Sequence, residues 1–488
     1  MEHDTKTPPY ATSDKTSFAY ISARDRWPVI ITGAIDDVFR TLSESNDAEK
    51  NAEGKRIIED LVALKYELQH DRKLSPIRDD GTPDVALYNH ELEALGTPSW
   101  FNVPWLFSEC YLYKRMSTSF SMSQHWKSYD VFARQKNDTF RSSRPAVYEI
   151  ATRFKDLVNG LAAKTEEAAN KTPEEHEEAQ RLLFVEMCEI CLWGNATDLS
   201  LLTSLSYEDI QKLQGAKARK ESEKNILAND LQQAYDTLKK ARDEGKKERR
   251  VDIVLDNSGF ELYVDLILAS YLLTSGLATL VVLHPKSIPW FVSDVLPSDF
   301  ASILGALANP KGFFAASSTP AAEDGKDAAA SSSSTAAAPL SDAEAADISF
   351  VFSQLAQHHA EGELLLRPNR FWTHGGSFWR LPASDPELHE DLKTSELVIF
   401  KGDLNYRKLT GDAMWDPTTP FTEAIGPLGP GSGVNVMALR TCKADVVVGL
   451  QPGLDEELRA REGGGGDSGS RKWAWSGQYA VVSYSGGK

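Results

Sequence analysis

The feature that most constrains this chain is a change of pattern at Val251. From there, short runs of β-branched and aliphatic residues (VDIVL, TLVVL, LVIF, VNVMAL, VVVGL and AVVSY) alternate with stretches such as ELYVDLILASYLL and DFASILGAL. Strands alternating with helices imply a largely parallel sheet covered on both faces. Before it, IDDVFRTL, RIIEDLVALKYELQ, VYEIATRFKDLVNGLA and EEAQRLLFVEMCEICLW repeat apolar residues every three or four positions, the mark of amphipathic helices. The expected organisation is an all-helical N-terminal domain over 1–200 and the α/β domain over 201–488. A total of 488 residues exceeds the size at which one core stops growing, which agrees with two units.

Three segments read differently. Residues 207–247 (with NDLQQAYDTLKKARDE) predict a charged, solvated helix. Residues 315–346 are rich in Ala and Ser and hold one large apolar residue, Leu340, too little burial to offset the entropy of ordering, so a disordered insert is expected. The RAREGGGGDSGS run at 459–470 reads as a second, shorter flexible insert.

Composition excludes some functions. Seventy-one Asp and Glu against 53 Lys and Arg leave a net charge of −18, which argues against duplex nucleic acid or an anionic membrane as partner. The longest apolar stretch, 262–283, is broken by Asp265 and Gly276 and predicts a helix and a strand, not a membrane span. Four cysteines cannot staple so long a chain, and Cys188-x-x-Cys191 lies inside an apolar helix, where thiols act as small core hydrophobes. A cytoplasmic protein is expected, with the nucleus as the other reduced compartment.

In an open parallel sheet, ligands bind beyond the carboxyl ends of the strands. Four such ends release polar residues: Asp256-Asn257-Ser258-Gly259-Phe260-Glu261, His284-Pro285-Lys286, Lys401 to Arg407, and Arg440 to Lys443. Asp256, Asn257 and Asp294 are hard oxygen donors suited to magnesium or manganese rather than zinc. Lys401, Arg407, Arg440 and Lys443 are the cations that recognise a phosphate. Together they predict handling of a small phosphorylated molecule, with an ion-pair network along the sheet edge as the competing reading.

DNSGFE (256–261), KGDLNYRKLTGD (401–412) and R-T-x-K (440–443) resemble the damage-control phosphatases once grouped as domain of unknown function 89, in the subfamily called acidic residue methyltransferase 1. The resemblance extends through RDRWPVIITGAIDDV (24–38), WLFSECYLYKRM (105–116), LWGNATDLS (192–200), HPKSIPWFVSD (284–294) and FWTHGGSFWRLP (371–382). It implies a helical N-terminal domain on a Rossmann-like α/β/α sandwich domain, and divalent-metal-dependent hydrolysis of sugar phosphates such as fructose 1-phosphate and fructose 6-phosphate, with manganese, nickel, cobalt or magnesium as the metal. By matching motif it implies Asp256, Asn257 and Asp294 as metal ligands and catalytic residues. It likewise implies Glu261, Asp403, Leu404, Asn405, Tyr406, Arg407 and Lys443 as substrate contacts; Arg440 and Asn195 join that set as candidates. Water is the expected nucleophile, because the D-x-D of haloacid-dehalogenase phosphatases is absent; a direct aspartyl attack by Asp256 is the alternative.

Two other functions compete. The subfamily name suggests an S-adenosylmethionine-dependent carboxyl methyltransferase, and 429–433 (GPGSG) is a literal glycine motif, but it runs into a predicted strand instead of opening a helix. A noncatalytic interaction protein using the charged helix and the inserts is the third reading. His374, in a glycine turn, is placed near a ligand only weakly, and His358-His359 reads as a solvent-facing pair.

Overall fold

The computed structural model describes residues 2–162, 172–194, 224–315 and 339–488. Seven strands form one sheet: β1 Ile226–Asn229, β2 Arg250–Val254, β3 Leu280–His284, β4 Leu364–Leu366, β5 Leu397–Lys401, β6 Val436–Thr441 and β7 Ala480–Ser485. Their order across the sheet is β1-β7-β6-β5-β2-β3-β4. Every pairing is parallel except β6 with β7, so β7 and its parallel neighbour β1 both run against the other five. The expected largely parallel sheet is present.

Side chains alternate between the two faces as the two-residue strand repeat requires. Val251, Ile253, Leu397, Ile399, Met437, Leu439, Ala480 and Val482 enter one core, while Val254, Val398, Phe400, Val436, Ala438 and Val481 enter the other. The first core is completed by the helices Arg144–Ala162, Pro173–Trp193, Leu231–Asp243, Phe260–Thr274, Pro297–Ala308 and Asp342–Ala360. The second is completed by the helices between Phe18 and Ser121 and by the irregular chain over 371–450. The N-terminal helices are thus shared between both faces of the sheet, and a division at residue 200 coincides with no change of core.

Several local expectations are corrected. Part of the expected charged helix over 207–247 is strand β1, and the helix itself is Leu231–Asp243; residues 207–223 lie outside the described set. Val446–Leu450 is not a strand. Arg440 NH1 donates to the Val446 carbonyl and NH2 to that of Ala444 (3.0 Å), while the Val448 amide donates to the Tyr406 hydroxyl at 3.2 Å, so side chains occupy the groups a neighbouring strand would need. Within 315–346, residues 316–338 lie outside the described set, but Ser341 and Glu344 form a capping box that starts the helix Asp342–Ala360. The glycine run at 459–470 follows a defined path: it ends the helix Leu454–Ala460, makes a 3-10 turn at Gly466–Ser468 and buries Ser470. A Cβ on Gly464 or Gly465 would fall 2.0 Å or 2.1 Å from backbone oxygens, a fit glycine alone allows.

All four cysteines are buried free thiols; Cys188 and Cys191 pack in the core, as expected of a helix interior. No described helix is long and apolar enough to cross a membrane.

Among the described residues, one fully buried lysine forms no ion pair with a carboxylate. Lys408, fully buried, donates to the carbonyls of His374 (2.6 Å) and Gly376 (3.2 Å), and burial pushes its ammonium down to about 8. Below that pH, folding must bury the charged form; above the unfolded value near 10.5 both states are neutral and the penalty vanishes. Lys408 therefore makes stability rise between about pH 8 and 10.5, by an amount on the order of 3 kcal/mol. Urea unfolding at pH 7.5, 9 and 10.5 should show this rise in the native chain and not in Lys408→Met.

Candidate functional site

In the sheet order, β3 leads away from β2 on one side and β5 lies against it on the other. That divergence leaves a crevice beyond the carboxyl ends of β2 and β5, where open α/β sheets bind ligands. It opens as a cavity of about 780 Å³. Asp256 and Asn257 reach it from the end of β2, Asp294 from the loop after β3, Asp403, Leu404 and Arg407 from the helix Gly402–Leu409, and Lys443 from the end of β6. The reversal of β1 and β7 brings the residues that precede them, Asn225 and Ser476 to Gln478, to the same rim.

The junction of β2 and β5 is close. Gly402 has φ +80°, and a Cβ there would lie 1.9 Å from Asp256 Oδ2, so glycine is required both for conformation and for space. Asp256 and Asp294 are 5% and 1% exposed. Asp256 Oδ2 accepts from Asn257 Nδ2 at 2.8 Å, and the same amide donates to Glu261 Oε2 at 2.8 Å. Burial pushes the Asp256 carboxyl well above the usual range, and neighbouring Asp294 and Glu261 push it further; Lys286 and Lys443 oppose this. Burial also raises Asp294, to about 6. Its Oδ2 is 3.3 Å from Lys286 Nζ and accepts no hydrogen bond among the described residues. The loop that presents it is strained: Phe291 and Val292 have φ +43° and +68°, a region costly for a β-branched residue and one that gathers at functional sites.

Crowded buried carboxylates with an orphaned oxygen and an adjacent amide form a donor set that fits a hard divalent cation. Among the described residues, no three His, Cys, Asp or Glu side chains converge on one cation position, so the amide of Asn257 has to complete the set. Its Oδ1 now accepts from Ser293 Oγ at 2.5 Å, and rotating the amide would turn that oxygen toward the carboxylates.

Other expected residues fall in different places. Glu261 is buried behind Asn257 and pairs with Lys401 Nζ at 3.2 Å. Lys401 is likewise buried and also pairs with Asp265 at 2.8 Å, so it faces the helix Phe260–Thr274 instead of a ligand. Four residues expected to contact substrate, Glu261 among them, do not line the cavity. Asn405 donates to the carbonyls of Lys401 (2.7 Å), Val254 and Leu255; Tyr406 accepts from Val448; and Arg440 donates through Nε to Asp403 Oδ1 at 2.8 Å. They support the wall from within, because their side chains meet backbone groups that strand pairing leaves open. Asn195 lies outside the described residues. Arg407 lines the cavity with its donors committed to Glu109 (2.8 Å) and Asp412 (3.0 and 3.1 Å) and its guanidinium 3.6 Å over Trp105, which makes it a fixed charge. His374 is turned away, its ring nitrogens facing the carbonyls of Phe371 and Ser377. None of the 429–433 glycines lines the cavity; Gly433 packs near Lys393 and donates its amide to the Gly487 carbonyl at 2.9 Å.

The sequence reading missed the opposite wall. Phe18, Arg26, Trp105, Glu109 and Trp475 come from the N-terminal helices and the segment before β7. Phe18 stacks on Trp475 at 5.3 Å, and buried Asp445 holds the pair by accepting from the Phe18 amide and Trp475 Nε1. The helical WPV and WLF stretches gave no sign of it, because an amphipathic face reads as core whether a neighbour or a ligand covers it.

A mixed sheet with acids and cations gathered at its switch point places this chain among the α/β proteins whose ligand crevice lies beyond the strand ends. The damage-control phosphatase ARMT1-like domain matches residues 22–458, and the chain belongs to that family. Damage-control phosphatase ARMT1 of Xenopus tropicalis is 34% identical over 96% of both chains, that of Bos taurus 34% over 97% of both, and that of Homo sapiens 32% over 97% of both. A crystal structure of a domain-of-unknown-function-89 protein from Pyrococcus horikoshii covers 88% of this chain and 93% of its own, at 13% identity and a TM-score of 0.34.

Removing one partner from a buried ion pair strands the other. Arg440→Met, which leaves Asp403 unpaired and releases the Ala444 and Val446 carbonyls, should lower stability by about 3–5 kcal/mol, read as a lower urea midpoint at unchanged slope.

Proposed function

We propose that this chain is a divalent-metal-dependent phosphatase acting on small sugar phosphates, fructose 1-phosphate and fructose 6-phosphate among them, in metabolite damage control. The observation that carries the reading is the meeting of Asp256, Asn257 and Asp294 with Lys443 on one cavity wall. The names of the relatives, damage-control phosphatases, support it.

In this reading the carboxylates of Asp256 and Asp294 and the amide oxygen of Asn257 hold the cation. When bound, the metal would supply positive charge at a phosphoryl oxygen and lower the pKa of the attacking water. Lys443 donates to the other phosphoryl oxygens, and the fixed charge of Arg407 adds to a field suited to a loose, charge-spread transition state. Asp403, held by Arg440 and by the Lys443 amide at 2.9 Å, keeps a carboxylate oxygen in place for a sugar hydroxyl. Ser476 and Gln478 offer further polar contacts at the rim. Glu109, accepting from Trp27 Nε1 at 3.1 Å and from Arg407, keeps that arginine from swinging into the ligand's place.

Phosphate release from both ketose phosphates, measured with manganese, nickel, cobalt or magnesium and again with a chelator, should depend on added metal. Asp256→Asn and Asp294→Asn should each reduce kcat/KM about a hundredfold or more. Chelator-insensitive release, or normal rates in Asp256→Asn, would overturn the assignment. A methyl-transfer assay on the same preparation reads the competing function directly.

A further inference from the structure

We propose that Arg26 forms a second anion subsite, so that the favoured substrates carry a phosphate or carboxylate remote from the ester that is cleaved. This rests on the phosphatase reading and narrows its substrate class.

Two sets of residues of unlike chemistry line one cavity of about 780 Å³. One carries the acids and Lys443 described above. The other carries Phe18, Trp105 and Trp475, with Arg26 beside them. The two arginines differ in what surrounds them. Arg407 is bracketed by Glu109 and Asp412. Arg26 is exposed; NH1 donates to the Ser22 hydroxyl at 3.1 Å, its guanidinium lies 5.0 Å over the Phe18 ring, and no carboxylate among the described residues pairs with it. In a chain with 71 acidic residues against 53 basic ones, a cation left without an acid partner at a cavity wall calls for a ligand that provides one.

The backbone supplies a second observation. Arg26 ends a five-residue π-helical turn, Ser22–Arg26, set between the helices Phe18–Ile21 and Trp27–Glu44. Such turns are rare, cost helix geometry and recur at functional sites. Here the turn keeps Trp27 and Ala23 in the core while Arg26 reaches the cavity. Phe18, stacked on Trp475, limits where the guanidinium can lie, which lowers the entropy lost when it grips an anion. A guanidinium fork accepts a phosphate or a carboxylate in the same way, so sugar bisphosphates and phosphorylated sugar acids share the chemistry.

The test is equilibrium binding to the full chain by calorimetry with the metal withheld, so that no turnover is needed. The probes are fructose 1-phosphate, fructose 1,6-bisphosphate and 6-phosphogluconate. The native chain should bind at least one doubly anionic probe roughly fivefold more tightly than the monophosphate, the scale of one solvent-exposed charge pair. Arg26→Ala should erase that ratio, Arg26→Lys should restore part of it, and the neighbouring Arg24→Ala should leave it intact. Discrimination should weaken as salt rises. Preference for the bisphosphate alone, or for the sugar acid alone, identifies the second group. An equal affinity for all three probes in the native chain, or an unchanged ratio in Arg26→Ala, overturns the proposal. Parallel phosphate-release assays separate the two readings: absent turnover with intact discrimination sinks the phosphatase and leaves the subsite.

Discussion

The approach of Gly402 to the Asp256 carboxylate is the constraint on which the rest of the site depends. Two parallel strands, β2 and β5, end side by side, and the turn after β5 passes so near Asp256 that no side chain fits at 402. That contact removes water from Asp256 and sets Asp403 one residue and Arg407 five residues farther along the helix that lines the same rim. Burial then drives up the carboxyl of Asp256, and the stationary charges of Lys286 and Lys443 hold part of it back. A site poised in this way has negative charge that neighbours only partly balance, a setting in which a cation is stabilised more than it would be in water.

A second layer of residues makes the arrangement rigid. Arg440, Asn405 and Tyr406 do not line the cavity, yet each satisfies backbone or carboxylate groups beneath it. Lys401 does the same between Glu261 and Asp265. Charged side chains in one short motif therefore divide between facing the cavity and holding it. Their spacing on the helix Gly402–Leu409 decides which, since neighbours along a helix point in directions about 100° apart.

How much was legible in the sequence follows from what a local pattern can encode. Strands β2, β3, β5, β6 and β7 announce themselves as apolar runs; of the four strand ends that release polar residues, those of β2, β5 and β6 send side chains to one cavity, while His284 and Lys286 after β3 do not line it. Strands β1 and β4, of four and three residues, carry too few side chains for any period to show. Val446–Leu450 has the composition of a strand, but its partners are the side chains of Arg440 and Tyr406, which no run of β-branched residues records. Arg440 and Tyr406 carry the groups of a ligand contact yet bond to Asp403 and to Val448, because side-chain type signals chemistry without signalling direction. The aromatic wall with Arg26 lay hidden for another reason: it is assembled from segments more than 400 residues apart, and each one alone is an ordinary amphipathic helix or loop.

The antiparallel seat of β7 has a consequence for how the chain acquires its shape. Among the described strands β1 pairs with β7 alone, and β6 has its outer edge open until the same strand arrives. More than 200 residues thus leave the ribosome between β1 and the segment that secures it. During synthesis the edge of β6 stands bare, a template on which a stray strand of another chain could pair. Closure of that edge also places Ser476 to Gln478 at the rim, so the last stitch in the sheet is the one that finishes the binding cleft.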